Sequence, residues 1–451
     1  MTTKKNDTPP VLDIDTSISV LGPAKIPSKL PFCRPREDGE TIRLNVTEDQ
    51  SSLLEGESMY SDFHVAGPRK NLYFDPSKTK CAIVTCGGLC PGINDVIRAI
   101  VMEAHHNYQV SATLGIRFGL EGFIPSYGHD VKELTPDTVS SCHQFGGTIL
   151  GSSRGPQSAE EIVDALERMN ISVLFMIGGD GTMHAAQIIV AEIAKRKVKI
   201  AVVGIPKTID NDISFITKSF GFDTAVEKAT EAIMCAHTEA TCAVNGIGMV
   251  KLMGRESGFI AAQATLALKE VNFVLVPETP FELKGENGLL NMLHKRLASR
   301  NHAVIVVAEG AGQHLLSITG EKDASGNPVL GDICGILTKE IKGHFKEQGV
   351  PVTLKFIDPS YIIRSVPPNA NDRVYCGFLG QHAVHAAMAG KTGMVITNLQ
   401  DRYVHLPLSL VTQERRKLNT DSDYWRSVLE STGQNLSLGK FGTQADPCSS
   451  K

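Results

Sequence analysis

Apolar residues along this chain come in short unbroken runs of strand length, separated by stretches with helical spacing. Lys80-Cys-Ala-Ile-Val-Thr85, Ala112-Thr-Leu-Gly-Ile116, Val173-Leu-Phe-Met-Ile177 and Ile200-Ala-Val-Val203 are the first four runs. Between them, residues 94–101, 159–169 and 183–195 repeat their apolar positions at helical intervals. Short unbroken runs predict buried strands, and their alternation with helices predicts a parallel sheet. The rhythm returns at Gly246-Ile-Gly-Met-Val250, Phe273-Val-Leu-Val276 and Ala303-Val-Ile-Val-Val-Ala308. A small-residue helix at 383–390 then leads into one more short strand, Gly393-Met-Val-Ile396. The expected fold is α/β, with two doubly wound, Rossmann-like parallel-sheet domains and the active site in the cleft between them.

The pattern also sets boundaries. Residues 1–79 carry prolines at 9, 10, 23, 27, 31 and 35 with little periodicity, and read as an N-terminal extension. Residues 80–221 together with 363–405 are expected to form one domain and 222–362 the other. From 406 to 451 the apolar content falls, and 435–451 reads as a loose tail. At 451 residues the chain is long enough for two cores. A formal net charge of -4 argues against a nucleic-acid partner. No apolar run approaches membrane-spanning length, and Met1-Thr-Thr-Lys-Lys-Asn has no signal-peptide core. The ten cysteines lack zinc-type spacing, with Cys86 and Cys90 a pair without a second. They read as free thiols of a reducing, cytoplasmic setting. The ending Cys448-Ser-Ser-Lys451 lacks the leucine of a peroxisomal signal.

Candidate chemistry gathers at the carboxyl ends of the runs. Gly178-Gly-Asp-Gly-Thr182 follows one strand. Asp180 is a hard oxygen ligand suited to Mg²⁺, Gly181 leaves room for a nucleotide phosphate, and Thr182 can donate to a phosphate oxygen. The alternative is an Asx turn capping the next helix. Ile205-Pro-Lys-Thr-Ile-Asp-Asn-Asp212 follows the next strand and puts Asp210 and Asp212 on one turn. Cys86-Gly-Gly-Leu-Cys-Pro-Gly92 offers glycine backbone at Gly87 and Gly88 to a phosphate, or is simply a tight turn. No Gly-Lys-Ser/Thr follows it, so it is not a Walker loop. In the turn at 145–155, Arg154 can brace a transferring phosphoryl group, although a lone loop arginine is usually solvated. Asp210 is the candidate general base, with Asp212 assisting it or the metal, and Thr208 holds a phosphate oxygen. Downstream, Arg255, Glu309, Tyr361 and Arg364 offer grips for a sugar phosphate. Together these point to a kinase of a small phosphorylated substrate.

As a set, from about residue 81 to 396, these segments closely resemble the phosphofructokinase family. The resemblance implies that Gly87, Gly88, Arg154, Gly179, Asp180, Gly181 and Thr182 bind the phosphoryl donor, with Asp180 on magnesium. It implies that Thr208, Ile209 and Asp210 meet fructose 6-phosphate, together with Met253, Gly254, Arg255, Glu309, Tyr361, Ile362, Ile363 and Arg364. Asp210 is then the base that deprotonates the C1 hydroxyl, with Lys207, Arg154, Arg255 and Asp212 around the transferring group.

Two positions bear on the donor. Pyrophosphate-using members carry an acidic residue where this chain has Gly181, and a lysine where it has Lys207. The chain is therefore mixed, as in the ATP-using branch of plants and trypanosomatids, which its extension and the segment at 357–364 also resemble. ATP is the expected donor, because a carboxylate at 181 would repel the α-phosphate and Lys207 suits either anion. Short bacterial members have an arginine where this chain has Gly246, and another where it has Lys355, so substrate binding across subunits is in question here. A homotetramer is the expectation from resemblance. The alternatives are a pyrophosphate-dependent enzyme and a catalytically silent regulatory paralogue. The presence of Asp180, Asp210 and Arg255 together argues against the second. NAD and lipid kinases share Gly-Gly-Asp-Gly-Thr but lack the Thr-Ile-Asp-Asn-Asp turn.

Overall fold

The strand-length runs form strands because consecutive residues face two different apolar layers. The first six strands are β1 (Lys80–Thr85), β2 (Ala112–Ile116), β3 (Val131–Glu133), β4 (Val173–Gly178), β5 (Ala201–Pro206) and β6 (Gly246–Leu252). They are followed by β7 (Phe273–Leu275), β8 (His302–Ala308), β9 (Thr353–Ile357), β10 (Met394–Leu399) and β11 (Arg402–Pro407). In β4, Val173, Phe175 and Ile177 enter one core cluster while Leu174 and Met176 enter another. Burial on both faces is what an unbroken apolar run requires. The computed structural model describes residues 14–30, 34–43, 62–316, 320–322, 326 and 328–434. The tail read at 435–451, the start of the chain and the prolines at 9, 10 and 31 lie outside the described residues.

Two sheets result. The larger has the order β11-β10-β5-β4-β1-β2-β3, parallel at its centre with antiparallel strands at both edges. The smaller, β7-β8-β6-β9, is parallel throughout. The helices are α1 (Ile93–Met102), α2 (Ala159–Arg168), α3 (Asp180–Arg196), α4 (Phe222–Thr241), α5 (Phe259–Leu268) and α6 (Leu289–Arg300). After them come α7 (Ile333–Glu347), α8 (Ser360–Ser365), α9 (Ala370–Met388), α10 (Leu408–Val411) and α11 (Asp423–Thr432). Helix α9 packs on α1 against the larger sheet, and α4 and α5 pack on the smaller. No helix among the described residues is long and apolar enough to cross a membrane. The described cysteines are all free thiols.

The chain crosses between the two sheets three times, through residues 207–221, 358–369 and 412–422. The third crossing departs from the falling apolar content read beyond residue 405. Leu406, Leu408, Leu410 and Val411 are buried with the larger sheet, and Trp425, Val428 and Leu429 with the smaller. Four apolar residues across the end of β11 and the short helix α10, then three at helical spacing on α11, suffice to anchor each end. The N-terminal extension is likewise docked where it is described. Ser19–Val20 pairs with Lys391–Thr392, Ile26–Pro27 with Asn71–Leu72, and Phe63 is buried in the core.

Candidate active site

Register brings the polar strand ends together. Gly178 of β4 lies opposite Pro206 of β5, and Thr85 of β1 opposite Ile177. The segments starting at Cys86, Gly179 and Lys207 therefore leave the larger sheet side by side. In the smaller sheet Leu252 lies opposite Ala308, which sets Met253 beside Glu309.

Asp180 stands in the first turn of the 17-residue helix α3, whose amides and dipole face the cleft. Its carboxylate meets His184 Nδ1 at 3.2 Å and Arg415 Nη2 at 3.7 Å. Lys207 continues the ladder through its N–H to the Gly178 carbonyl (2.8 Å), and its Nζ donates to the Gly88 carbonyl (2.7 Å). Burial lowers the pKa of this ammonium. The following turn is braced from within. Thr208 Oγ1 donates to Asp212 Oδ1 (2.5 Å) and accepts from the Asp210 N–H (3.3 Å). Asn211, at φ +58°, accepts from the Ser219 N–H (2.9 Å) and donates to the Thr217 carbonyl (3.2 Å). Asparagine tolerates that left-handed conformation better than most residues.

One oxygen of Asp210 is left uncommitted. Its Oδ1 is enclosed with no hydrogen-bond partner among the described residues. Burial raises its pKa well above the carboxylate range, and the charges of Asp212 and Glu309 raise it further. Burial also raises the pKa values of Asp212 and Glu309. At the other end Lys251 Nζ pairs with Asp358 (2.6 Å), and the Arg364 guanidinium stacks on Tyr361 at 4.4 Å.

Of the chambers that open on these groups among the described residues, two frame the centre of the site. One, of about 380 Å³, is polar and lined by Thr208, Asp210, Lys251, Glu309, Tyr361 and Arg364 among others. The second, of about 580 Å³, has apolar walls from Leu120, Pro156, Ile162, Ile188 and Ile189 beside Arg154 and the 179–182 turn. They share one strip made of Gly88, Gly179, Asp180, Lys207 and Arg415. A donor in the apolar chamber and an acceptor in the polar one would meet across that strip. Asp180 belongs to that strip, and Asp212 lines the polar chamber beside it. Among the described residues no group of three or more histidine, cysteine or carboxylate side chains could hold a metal unaided.

A family model described as Phosphofructokinase matches residues 80–387. The chain belongs to the phosphofructokinase family. It is 52% identical over 380 residues to the ATP-dependent 6-phosphofructokinase of Borreliella burgdorferi, covering 83% of this chain and 85% of that one. It is 47% identical to ATP-dependent 6-phosphofructokinase 7 of Arabidopsis thaliana (85% and 79% covered). It is 46% identical to the ATP-dependent 6-phosphofructokinase of Trypanosoma cruzi (82% and 76% covered). Among solved structures, the pyrophosphate-dependent phosphofructokinase of Marinobacter aquaeolei superposes with a TM-score of 0.64 at 20% identity, covering 82% of this chain and 94% of that one. At that identity the likeness speaks to the fold.

Within this phosphofructokinase fold most of the residues expected from sequence converge. Gly87, Gly88, Arg154, Gly179, Asp180, Gly181, Thr182 and Lys207 line the chamber with apolar walls. Thr208, Ile209, Asp210, Asp212, Met253, Glu309, Tyr361 and Arg364 line the polar one. Others sit differently. The Arg255 guanidinium donates to the Pro328 carbonyl outside both chambers, while its backbone N–H favours the charged Asp210 carboxylate. Gly254, at φ +130°, contributes backbone, since a Cβ there would lie 2.4 Å from the Ser257 carbonyl. Ile363 is fully buried in the core and Ile362 is 67% exposed, so neither side chain lines the polar chamber. Lys355, on β9, lies outside the chambers of its own chain, 3.8 Å from Glu239. Gly246 packs where a Cβ would come within 2.0 Å of the Ala240 carbonyl, so an arginine cannot stand there without moving α4. Four charged or imidazole side chains of the chambers lie outside the set expected from sequence: Lys251, Asp358, His184 and Arg415. Asp358 belongs to the segment at 357–364, and Lys251 directly follows the apolar run that ends at Val250. His184 reads as a helix position. Arg415 lies in Glu414-Arg-Arg-Lys417, a charge run that reads as a solvated surface.

Proposed function

We propose that this chain is an ATP-dependent 6-phosphofructokinase, transferring the γ-phosphoryl group of MgATP to the C1 hydroxyl of fructose 6-phosphate. The observation that carries the reading is the shared strip, with the partnerless Asp210 oxygen on its polar side and an apolar chamber on its other side. In the proposed reaction Asp210 takes the C1 proton as the C1 oxygen bonds to the γ-phosphorus. The bond from that phosphorus to the bridging oxygen breaks, and ADP leaves with the electron pair. Lys207 and Arg154 meet the phosphate charge from the donor side. Glu309 accepts from sugar hydroxyls, and Arg364 with Lys251 faces the 6-phosphate.

Asp180, with Asp212, fits a magnesium ion that arrives on the nucleotide, since Mg²⁺ takes one or two carboxylates plus phosphate oxygens and water. When bound, it would neutralise phosphate charge during transfer. The half built on the larger sheet is the donor half, the one on the smaller sheet the sugar-phosphate half. The assembly is read as a homo-oligomer, a tetramer, with Lys355 facing a neighbouring copy.

A pyrophosphate donor suits the site less well, because the apolar walls at Leu120, Ile162 and Ile188 would have nothing to cover. Steady-state assays with ATP and pyrophosphate in parallel test this. Turnover with ATP and little or none with pyrophosphate is expected, and the reverse preference would replace this reading. Arg364→Ala is expected to raise the KM for fructose 6-phosphate about 10- to 100-fold, since a charge-assisted pair to phosphate contributes roughly 1.5–3 kcal/mol. The KM for ATP should barely move. Loss of ATP affinity instead would put Arg364 at the other end of the cleft.

A further inference from the structure

The third crossing, residues 412–422, lies along the Asp210 turn. The Arg416 N–H donates to the Asp212 carbonyl (2.8 Å), Ile213 and Arg415 form an antiparallel bridge, and Ser214 Oγ donates to the Glu414 carbonyl (2.5 Å). Arg416 Nη1 donates to the Ile216 and Thr217 carbonyls (3.1 Å each). Beyond it, the Leu418 N–H donates to Glu278 Oε1 (2.9 Å), which also receives the Gly258 N–H (3.0 Å) at the start of α5. The crossing is thus fastened to the turn on one side and to the smaller sheet's helix on the other.

Arg415 points from this crossing into the shared strip. Its guanidinium meets Asp180 at 3.7 Å, Asp212 at 4.0 Å and Glu256 at 3.2 Å. These carboxylates come from three segments: the start of α3, the turn after β5, and the segment after β6. Half-exposed ion pairs add little to stability. A planar guanidinium can, however, fix the mutual spacing of carboxylates that otherwise repel one another. We infer that Arg415 is a positioning residue for phosphoryl transfer, holding the turn that carries Asp210 in register with Asp180. This rests on the phosphoryl-transfer reading above.

The test uses the full chain with Arg415→Ala and Arg415→Lys, and two independent readouts. The first is steady-state kinetics. Arg415→Ala should lose about 10²-fold in kcat, the usual scale for a misplaced reacting group. The KM for fructose 6-phosphate should stay within about threefold, as expected when an interaction serves only the transition state. Arg415→Lys should recover part of the kcat. The second readout is amide hydrogen exchange of the ligand-free protein. Exchange across residues 208–213 should accelerate in Arg415→Ala and much less in Arg415→Lys, with 423–432 unchanged. Wild-type kcat in folded Arg415→Ala overturns the inference. So does unchanged exchange at 208–213, or acceleration spread over 412–432 that lysine fails to reverse. If the wild type lacks the proposed activity, that reading fails by itself, and the exchange experiment still decides whether Arg415 positions the turn.

Discussion

Asp210→Asn is expected to lower kcat by about 10²–10⁴-fold, the usual share of general-base catalysis, with the KM for fructose 6-phosphate little changed. The substitution keeps the shape and removes the proton acceptor. It should not unfold the protein. The enclosed Oδ1 has no hydrogen bond to lose, and burial together with Asp212 and Glu309 already disfavours a charge there. The same environment gives the wild type a pH signature. Because the pKa is raised, the base is protonated at low pH, so kcat/KM should climb with pH on a limb above the ordinary carboxylate range. The asparagine variant should lose that limb. Steady-state kinetics with a melting curve checks both parts, and near-normal turnover in a folded variant would remove Asp210 from the role.

Gly181→Asp is expected to cost at least about 10²-fold in ATP-dependent turnover, since an opposed like charge in an interface costs several kcal/mol. The structure separates this effect from misfolding. A Cβ on Gly181 meets nothing within 4 Å, and an acidic residue in a helix's first turn is favourable. The damage should therefore fall on the donor, with the melting temperature and the KM for fructose 6-phosphate kept. Lys207 stays to hold a smaller anion, so a trace of pyrophosphate activity is expected and full activity is not. Parallel donor titrations of wild type and variant decide the matter. Unimpaired ATP turnover would mean that position 181 does not face the α-phosphate.

The centre of the fold was legible in sequence because a parallel strand buried on both faces leaves an unbroken apolar signature. Phe175 and Met176 point to opposite apolar layers, where a polar side chain would be buried without a partner. The edges were less legible. Strand β3 (Val131–Glu133) is largely exposed, and strand β11 (Arg402–Pro407), although mostly buried, carries Arg402 and His405, so neither leaves an unbroken apolar run. The site was legible where chemistry is dense in sequence, as in the 178–182 and 206–212 turns. It was illegible where a single side chain arrives from far along the chain. Arg415 belongs with the Asp210 turn through an antiparallel bridge spanning two hundred residues, and nothing local announces that pairing. Ile363 shows the converse limit. The motif around it reads as a binding motif, yet its own side chain serves the core.

The three crossings between the sheets carry, in order, Asp210, Arg364 and Arg415. The joints of the molecule and its proposed reactive surface thus fall on the same segments. A single linker would let one half swivel about many axes, whereas three separate tethers permit little besides a small hinged approach. Any such approach must bend the backbone beside the proposed base, beside the proposed phosphate grip and beside the arginine between them. Stiffening a joint, by proline or by a designed cross-link, would therefore be felt as a change in turnover even if no substrate contact were touched. For the same reason, cutting the chain at one crossing would not yield two independent halves, because two other tethers would still bind them.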